Sequence, residues 1–228
     1  NLQYQIDKMN LKDGWRSYMA KSVKTRFPEK GIVTSGNIRS PQRAEEILQN
    51  GDADLLAMGR GLIAEPNWVN KVAQGQEALL RKCISCNIGC ADHRIAKSRP
   101  IRCTVNPDIY YEDAHKKEPI TTPLNMGVSG VGTAGLAGAA SAAEMGANVT
   151  LYEEKSYLGG LAHEIARFPD KRRIDDFVTY LTNRAAQLPN LTIHLNHRFS
   201  LADIKQRPDL IVNTTGATPL LPPIKGLH

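Results

Sequence analysis

The residues best suited to chemistry in this sequence are its four cysteines, which all lie between positions 83 and 103. Cys83, Cys86, Cys90 and Cys103 follow the pattern C-x2-C-x3-C-x12-C. Three closely spaced thiolates can wrap one corner of an iron–sulfur cubane, and a fourth can close it from a distance. We therefore predict that these four side chains hold a [4Fe–4S] cluster.

Two other uses of the four cysteines stay open. Zinc accepts four thiolates, but structural zinc sites usually show two C-x2-C-like pairs, and the second half of this pattern lacks one. A zinc-bearing structural or nucleic-acid module is therefore the weaker interpretation. Disulfides are the other alternative, with three ways of pairing four cysteines, yet nothing else in the sequence suggests secretion.

A second chemical motif is the glycine-rich run from 130 to 135, Gly-Val-Gly-Thr-Ala-Gly, which matches G-x-G-x-x-G. It follows a predicted strand and opens a helix of small residues, the context in which the pattern binds a dinucleotide pyrophosphate. Glu153 ends the next predicted strand, where its carboxylate can accept hydrogen bonds from ribose hydroxyls and repel a 2′-phosphate. The motif therefore favours FAD, ADP or NAD over NADP. Its predicted binding residues are Gly130, Gly132, Thr133, Ala134, Gly135 and Glu153.

Two further turns favour FAD among these ligands. Gly159 and Gly160 follow the second strand, where a flavin-binding chain bends back over its cofactor. Thr215 and Gly216 follow the last predicted strand, where another tight turn would pass beside the cofactor. Each pair alone is explained by an ordinary turn, but together with the glycine-rich run they extend the predicted site.

A third candidate site lies in the first part of the chain. Gly36 and Gly59 each follow a predicted strand, and Arg60 comes directly after Gly59. In (β/α)8 barrels the loops after strands seven and eight commonly bind phosphate. The two glycines would offer backbone N–H groups, and Arg60 a bidentate contact. The alternative is a pair of ordinary loops with a surface arginine.

The elements that position these motifs alternate between strand and helix. We predict strands over 31–35, 54–58, 126–129, 149–153, 192–195 and 210–213, which indicates an α/β fold with parallel sheets. A helix opens at Ser40-Pro41, one over 136–145 follows the glycine-rich run, and an amphipathic helix carries Ile174 to Leu188. Two early helices should each bury one face, comprising Ala44, Ile47 and Leu48 in the first and Trp68, Val69 and Val72 in the second.

Three regions follow from this pattern: 1–80 with βα units, 81–122 with the cysteines, and 123–228 with the dinucleotide motif. Periodicity disappears between 81 and 122, so this segment is predicted to be loop-rich. A loop of that length is unusual inside a compact domain, but metal ligation can supply the order that secondary structure does not.

Composition excludes several classes of protein. The 228 residues are 41% hydrophobic and 23% charged, which is typical of a globular chain. The net charge of +6 is scattered, with no aromatic-basic stripe, so no nucleic-acid partner is expected. The first 30 residues lack a signal peptide, and no apolar run approaches the length that spans a bilayer. We therefore expect a cytoplasmic protein with no membrane partner.

Four stretches of sequence carry a resemblance to a known family. The runs GIVTSGNI over 31–38 and ADLLAMGR over 53–60 resemble the last two βα units of the old yellow enzyme barrel. The cysteine string ending RCTVNP over 102–107 is similar to the cluster loop of its larger members. These are the 2,4-dienoyl-CoA reductases, 2-enoate reductases and trimethylamine dehydrogenases. The glycine-rich run fits their next domain, except that Thr133 stands where the family usually has proline.

The resemblance implies the C-terminal units of a TIM barrel, a loop-rich iron–sulfur segment and a Rossmann-like FAD/ADP-binding domain. FMN would be held in the barrel with Gly36, Gly59 and Arg60 at its phosphate, a [4Fe–4S] cluster on the four cysteines, and FAD (or ADP) at Gly130 to Glu153. In the reductases, NAD(P)H reduces FAD and electrons pass through the cluster to FMN, which reduces an activated C=C bond in a small-molecule substrate. The alternative is an amine dehydrogenase, in which electrons pass from the substrate outward to an external acceptor.

The resemblance also implies that much of the enzyme lies outside this sequence. The first barrel strands and the proton donor would lie N-terminal to it, and the rest of the FAD domain and the NAD(P)H domain C-terminal. No catalytic residue is therefore named within these 228 residues, and the chain alone is expected to turn over no substrate. Two barrel strands leave an open edge that tends to associate, so homo-oligomers remain an open expectation.

Overall fold

The computed structural model describes residues 6–226, apart from 112, 115, 117, 206, 207, 218, 219 and 221. The chain forms two compact units. Unit 1 comprises Asn1–Glu118 and Ala162–Arg184, and unit 2 comprises Pro119–Leu161 and Ala185–His228. The segment Ala162–Arg184, which the sequence pattern places with the dinucleotide motif, thus groups with the cysteine-bearing unit.

Unit 1 opens with alternating helices and short strands, as the sequence predicts. Its elements in chain order are α1 (Ser17–Arg26), β1 (Val33–Ser35), α2 (Pro41–Gln49), β2 (Leu55–Ala57), α3 (Arg60–Ala64) and α4 (Trp68–Ala73). Strands β1 and β2 are parallel, with Val33 opposite Leu55 and Ser35 opposite Ala57. The prediction of an α/β arrangement with a parallel sheet is confirmed.

Helix α2 begins as its capping residues dictate. The Ser40 hydroxyl accepts a hydrogen bond from the Arg43 N–H at 3.3 Å, and Pro41 occupies the first helical turn, where no N–H is needed. Ala44 and Ile47 are buried, as predicted. The prediction for Leu48 is wrong, since it is 38% exposed.

The prediction for Val69 is wrong in the same way. Trp68 is buried in the core, but Val69 is 61% exposed. Both errors have one physical reason. Leu48 and Val69 directly follow the most buried residue of their helix, and consecutive residues point about 100° apart around a helix axis. The apolar stripe on each short helix is narrower than the sequence suggests.

The core of unit 1 lies where these helices pack on the two strands. Its buried apolar residues are Ala20, Ile38, Ala44, Ile47, Ala53, Trp68 and Leu80. A second apolar cluster, Ala64, Ile84 and Val105, packs against Cys83, Cys86 and Cys103. The cysteine segment is therefore anchored to the βα units by hydrophobic contacts as well as by polar ones.

The segment over 81–122 is less irregular than its sequence indicates. Residues Ile88–Ala96 form a π-helix, with Asp92 N–H donating to the Asn87 carbonyl at 2.9 Å. A π-helix closes i→i+5 hydrogen bonds, so its side chains do not repeat at the α-helical period. This is why a search for that period finds no helix here.

The amphipathic helix of the sequence is α7 (Arg173–Ala186), which follows α6 (Gly160–Ala166). Val178 and Leu181 are buried, and Ile174 and Phe177 pack against the Ala64, Ile84 and Val105 cluster. Leu188, predicted on the same stripe, lies beyond the end of the helix.

Unit 2 contains a four-stranded parallel sheet. Its strands are β3 (Asn125–Ser129), β4 (Asn148–Tyr152), β5 (Leu191–His194) and β6 (Leu210–Asn213), with α5 (Thr133–Glu144) after β3 and α8 (Leu201–Ile204) before β6. The spatial order is β5-β4-β3-β6. Placing the first strand between the second and the last puts the β3–α5 turn at the point where strand order reverses, which is where such sheets bind ligands.

Among the described helices, none has the length and apolar character needed to cross a membrane.

Candidate functional site

All four cysteines line one small cavity in unit 1. Each is half-buried, and none forms a disulfide. The cavity is also bordered by Arg60, Ile84, Asn87, Gly89, Arg102, Thr104 and Val105, with no acidic side chain among its lining residues. The sequence pattern therefore brings the predicted ligands together, and the disulfide alternative has no counterpart in the structure.

Hydrogen-bond donors surround the sulfur atoms. The Ser85 N–H donates to Cys83 Sγ at 3.3 Å, and Cys86 Sγ lies 3.1 Å from the Thr104 hydroxyl. Burial raises the pKa of the Cys90 and Cys103 thiols. Backbone N–H groups oppose this effect, from Ala91 at Cys90 and from Val105 and Asn106 at Cys103. Such donors stabilise thiolate charge and are a feature of iron–sulfur environments.

The four thiols line one shared cavity, which is where a cluster with several metal ions would need them. Within the described residues, no group of three or more Cys, His, Asp or Glu side chains is arranged to hold a metal ion directly. In a cubane each iron takes one thiolate, so four cysteines around a shared cavity is the arrangement that it needs. The donor set fits a [4Fe–4S] cluster on these grounds.

Backbone geometry shapes the cysteine loop. Ser85 and Asn87 both have positive φ, 52° and 62°, which turns the chain sharply around Cys86. Gly89 lies against the segment that carries Cys103, and a Cβ there would stand 2.5 Å from the Arg102 carbonyl oxygen. Arg102 N–H in turn donates to the Gly89 carbonyl at 2.7 Å. The segment carrying Cys103 is thereby held against the π-helix that carries Cys90.

Three arginines hold alternate residues of this loop. Arg39 Nε donates to the Cys83 carbonyl at 2.5 Å, and Arg173 Nη1 to Ser85 Oγ at 2.7 Å. Arg60 Nη1 donates to the Asn87 side-chain oxygen at 2.5 Å. Sequence reasoning missed Arg39 and Arg173, because Arg173 lies 88 positions from Ser85 and neither belongs to a motif.

Gly36, Gly59 and Arg60 line a second cavity of about 380 Å³ in unit 1. Gly36 has φ +114°, and a Cβ there would come within 2.9 Å of the Arg16 side chain, so only glycine fits this turn. Gly59 precedes α3, with no atom within 4 Å of a Cβ. Gly36, Gly59 and Arg60 thus border one cavity, and the phosphate site stays a prediction.

Arg60 is more heavily engaged than its sequence position suggests. Its Nη2 donates to Asp7 Oδ2 at 3.1 Å and to Asn37 Oδ1 at 3.2 Å, and its Nη1 also reaches the Asp7 carbonyl at 2.8 Å. Buried Asp7 pairs with Arg16 at 3.0 Å as well. Asp7 thus occupies the cationic end of this cavity, and an anion binding there would share Arg60 with that carboxylate.

In unit 2 the glycine-rich turn is packed backbone to backbone. Gly130 has φ +99°, and a Cβ on it would come within 2.7 Å of the Thr214 carbonyl oxygen. A Cβ on Gly135 would stand only 1.9 Å from the Gly130 carbonyl oxygen. Thr214, which sequence reasoning left out of the site, donates from Oγ1 to the Ser129 and Gly130 carbonyls at 2.8 Å each. Its side chain fixes the turn to the end of β6.

Glu153 faces this turn, as predicted. Its Oε2 accepts from the Val131 N–H at 3.0 Å, and its Oε1 from the Lys155 N–H at 2.9 Å. A carboxylate oxygen has two lone pairs, so each can still accept a hydrogen bond from a ribose hydroxyl. The side chain is buried, and its two hydrogen bonds fix its position beside the turn.

The other predicted residues of this site surround the same turn. Gly132 bridges to Gly159, and a Cβ on Gly160 would approach Gly132 Cα at 3.1 Å. Thr133 and Ala134 open helix α5. The Thr215 hydroxyl instead bonds the Asn213 side chain at 2.9 Å, and Gly216 has φ +79° in an exposed turn.

Two family models match separate parts of the chain. Residues 8–78 match the NADH:flavin oxidoreductase / NADH oxidase family. Residues 128–191 match a NAD(P)-binding Rossmann-like domain.

Curated relatives extend this similarity over nearly the whole chain. An NADH oxidase of Thermoanaerobacter brockii is 36% identical over 228 residues, covering 97% of this chain and 34% of the relative. A bilirubin reductase of Mediterraneibacter gnavus is 32% identical over 200 residues, covering 86% of this chain and 30% of the relative. The chain therefore spans about a third of the length of these relatives.

A solved structure shares the fold. The 2-naphthoyl-CoA reductase in complex with 2-naphthoyl-CoA superposes with a TM-score of 0.90 at 26% identity, covering 96% of this chain and 33% of that one.

Proposed function

The chain belongs to the old yellow enzyme-like NADH:flavin oxidoreductase family, and we propose that it forms the central part of an iron–sulfur flavoenzyme. In this proposal the four cysteines hold a [4Fe–4S] cluster, Gly36, Gly59 and Arg60 hold the phosphate of FMN, and the turn from Gly130 to Glu153 holds FAD (or ADP). The bound cofactors would supply one- and two-electron transfer. The complete enzyme would use NAD(P)H to reduce an activated C=C bond.

The observation that carries the proposal is the shared lining of the two cavities in unit 1. Cys83, Cys90 and Arg60 border both the cysteine cavity and the cavity of Gly36 and Gly59. A group held by the cysteines would thus lie beside a group held by the two glycine loops. This adjacency suits electron transfer and has no evident use in a structural zinc module.

The residues of unit 2 would bind and orient the dinucleotide. The N-terminus of α5 would place backbone N–H groups at the pyrophosphate, and Glu153 would hold the ribose and disfavour a 2′-phosphate. Gly159 and Gly160 would let the following chain approach the cofactor closely. Thr215 and Gly216 would line its far side.

The remainder of the enzyme is also a proposal. We assign 1–80 to the C-terminal part of an FMN-binding TIM barrel, 81–122 to the cluster segment and 123–228 to the first part of the FAD domain. The chain covers about a third of this relative, which supports additional parts beyond these residues. Those parts would contain the proton donor and substrate pocket, which decide between C=C reduction and the amine dehydrogenase alternative.

Metal analysis after anaerobic reconstitution tests the proposal. We expect about four irons per chain and a broad absorption band near 400 nm that bleaches on reduction. Cys103→Ser should lose most of this iron, whereas Ser98→Ala, at an exposed site in the same segment, should retain it. Stoichiometric zinc without colour would refute the electron-transfer function.

A further inference from the structure

Two buried arginines of unit 1 contact the loop of the first two cysteines from different parts of the chain. Arg39 follows β1 and donates to the Cys83 carbonyl at 2.5 Å. Arg173 begins α7 and donates to Ser85 Oγ at 2.7 Å, while the Ser85 N–H donates to Cys83 Sγ at 3.3 Å. Arg39 therefore contacts the backbone of a cysteine, and Arg173 contacts the residue whose N–H donates to that cysteine's sulfur.

The carboxylates that pair with these arginines lie further out. Asp13 Oδ1 accepts from Arg173 Nη2 at 2.7 Å and from Arg39 Nη1 at 3.3 Å, and Asp176 pairs with Arg39. The Asp13 and Asp176 side chains are 26% and 34% exposed, whereas those of Arg39 and Arg173 are 7% and 10% exposed. Water screens the two carboxylates more than the two guanidinium groups. The net electrostatic effect of these four side chains on the cysteine loop is therefore positive.

Burial of the Arg173 charge carries a cost that its carboxylate neighbours do not fully offset. Burial lowers the pKa of Arg173, and the neighbouring charge of Arg39 lowers it further, while Asp13 and Asp176 act in the opposite direction. Buried ion pairs are often no more stabilising than apolar residues of the same size. Two adjacent buried cations are therefore better explained by a role at the site they contact.

We propose that Arg39 and Arg173 are positioning residues that fix the cysteine loop and raise the reduction potential of the cluster it holds. This inference rests on the proposed [4Fe–4S] site. Reduction adds one negative charge to the cluster, and nearby guanidinium groups stabilise that charge. Asp13 and Asp176 moderate the effect, so removing a cation and removing an anion should shift the potential in opposite directions.

The experiment is an anaerobic reconstitution of the chain followed by a redox titration of the reduced cluster by electron paramagnetic resonance. Arg173→Gln should lower the ratio of reduced to oxidised cluster at fixed solution potential about tenfold, which for one electron is about 59 mV. Arg173→Lys keeps the charge and should shift the ratio less than about threefold. Asp13→Asn should raise the ratio about threefold. Arg172→Gln, at an exposed neighbouring position, is the matched control and should leave it unchanged.

Opposite shifts in Arg173→Gln and Asp13→Asn at equal iron content would support the inference. A purely structural role predicts lost iron in both variants with no change in the potential of the cluster that remains, and that result would overturn it. If Arg173→Gln does not fold, Asp13→Asn and Asp176→Asn still test the inference, because each should raise the reduction potential of the cluster. A parent chain that takes up no cluster would refute the proposed function and this inference together, whereas a normal cluster with unshifted potentials would refute the inference alone.

Discussion

The glycine-rich turn of unit 2 and the cysteine segment of unit 1 hold their candidate ligands by different means. In the turn, the decisive packing contacts join backbone atoms, such as Gly135 against the Gly130 carbonyl and Gly130 against the Thr214 carbonyl. In the cysteine segment, they join a loop to side chains from distant positions, such as Arg39, 44 positions before Cys83, and Arg173, 88 positions after Ser85.

This difference predicts different responses to mutation. Backbone packing has no rotamers with which to adjust, so an added methyl group has to displace the chain itself. A side-chain network can lose one member and keep its shape while its electrostatics change. A substitution in the turn should therefore cause a large loss of stability and binding. Substitutions of the arginines that contact the cysteine loop should instead change its electrostatics in small steps.

Gly135→Ala should have the largest effect. Its Cβ would stand 1.9 Å from the Gly130 carbonyl oxygen and 2.7 Å from Thr214 Oγ1. We expect a loss of about 3 kcal/mol or more in the free energy of unfolding and no measurable ADP binding. Gly138→Ala is the matched control on the same helix, because no atom lies within 4 Å of its Cβ. It should be neutral or stabilise the chain by up to about 1 kcal/mol. Urea unfolding and titration calorimetry measure both, and equal behaviour of the two variants would contradict the packing argument.

Gly89→Ala tests whether the cysteine segment also depends on a backbone contact. A Cβ would stand 2.5 Å from the Arg102 carbonyl oxygen and 3.2 Å from the Cys103 nitrogen. We expect about 2 kcal/mol of destabilisation and at least half of the reconstituted iron to be lost. Gly31→Ala, with an exposed site and no atom within 4 Å of its Cβ, is the control. Full iron content in Gly89→Ala would mean that the segment adapts around the added methyl group.

Glu153→Gln should have a moderate effect on nucleotide affinity. The amide retains one acceptor oxygen, so either the Val131 or the Lys155 N–H loses its partner, and the NH2 group cannot accept from a ribose hydroxyl. We expect the dissociation constant for ADP to rise about tenfold, which corresponds to a loss of roughly 1.4 kcal/mol in binding free energy. Glu154→Gln, at the exposed neighbouring residue, should bind as the parent does. Unchanged affinity in Glu153→Gln would remove this carboxylate from the site.

Substitution of Asp203 should have the smallest effect, which appears in how the stability of the chain depends on pH. Burial alone would raise its pKa, but hydrogen bonds from the Ser200 hydroxyl, the Ser200 N–H and His197 outweigh burial and hold the pKa below its usual value. A lowered folded-state pKa contributes stability that is present above the unfolded-state value, about 3.9, and is lost as the pH falls through the folded-state value. Asp203→Asn should therefore be less stable than the parent near neutral pH, and the gap should close below about pH 4. Parallel stability curves down to low pH would show that this carboxylate is not stabilised by its neighbours.

Much of the fold could be predicted because its signals are local. Strands β1 to β6 lie where alternating and apolar runs place them, and the Ser40-Pro41 cap starts α2 as expected. The errors at Leu48 and Val69 arose because burial on a short helix depends on what packs against it. The π-helix at Ile88–Ala96 escaped detection because its hydrogen-bond period is not the one that sequence patterns are searched for.

The sequence by itself determined which cysteines and which glycines belong to each of the two candidate sites. Cysteine spacing limits where four thiolates can meet, and a glycine without a Cβ is required where the backbone turns at positive φ or passes close to another strand. Only the tertiary structure decided that Arg39 and Arg173 reach the cysteine loop, that Asp7 shares Arg60, and that Thr214 fastens the glycine-rich turn. The physical reason is range: local geometry is set within a few residues, whereas a hydrogen bond between distant positions exists only after the chain between them has folded.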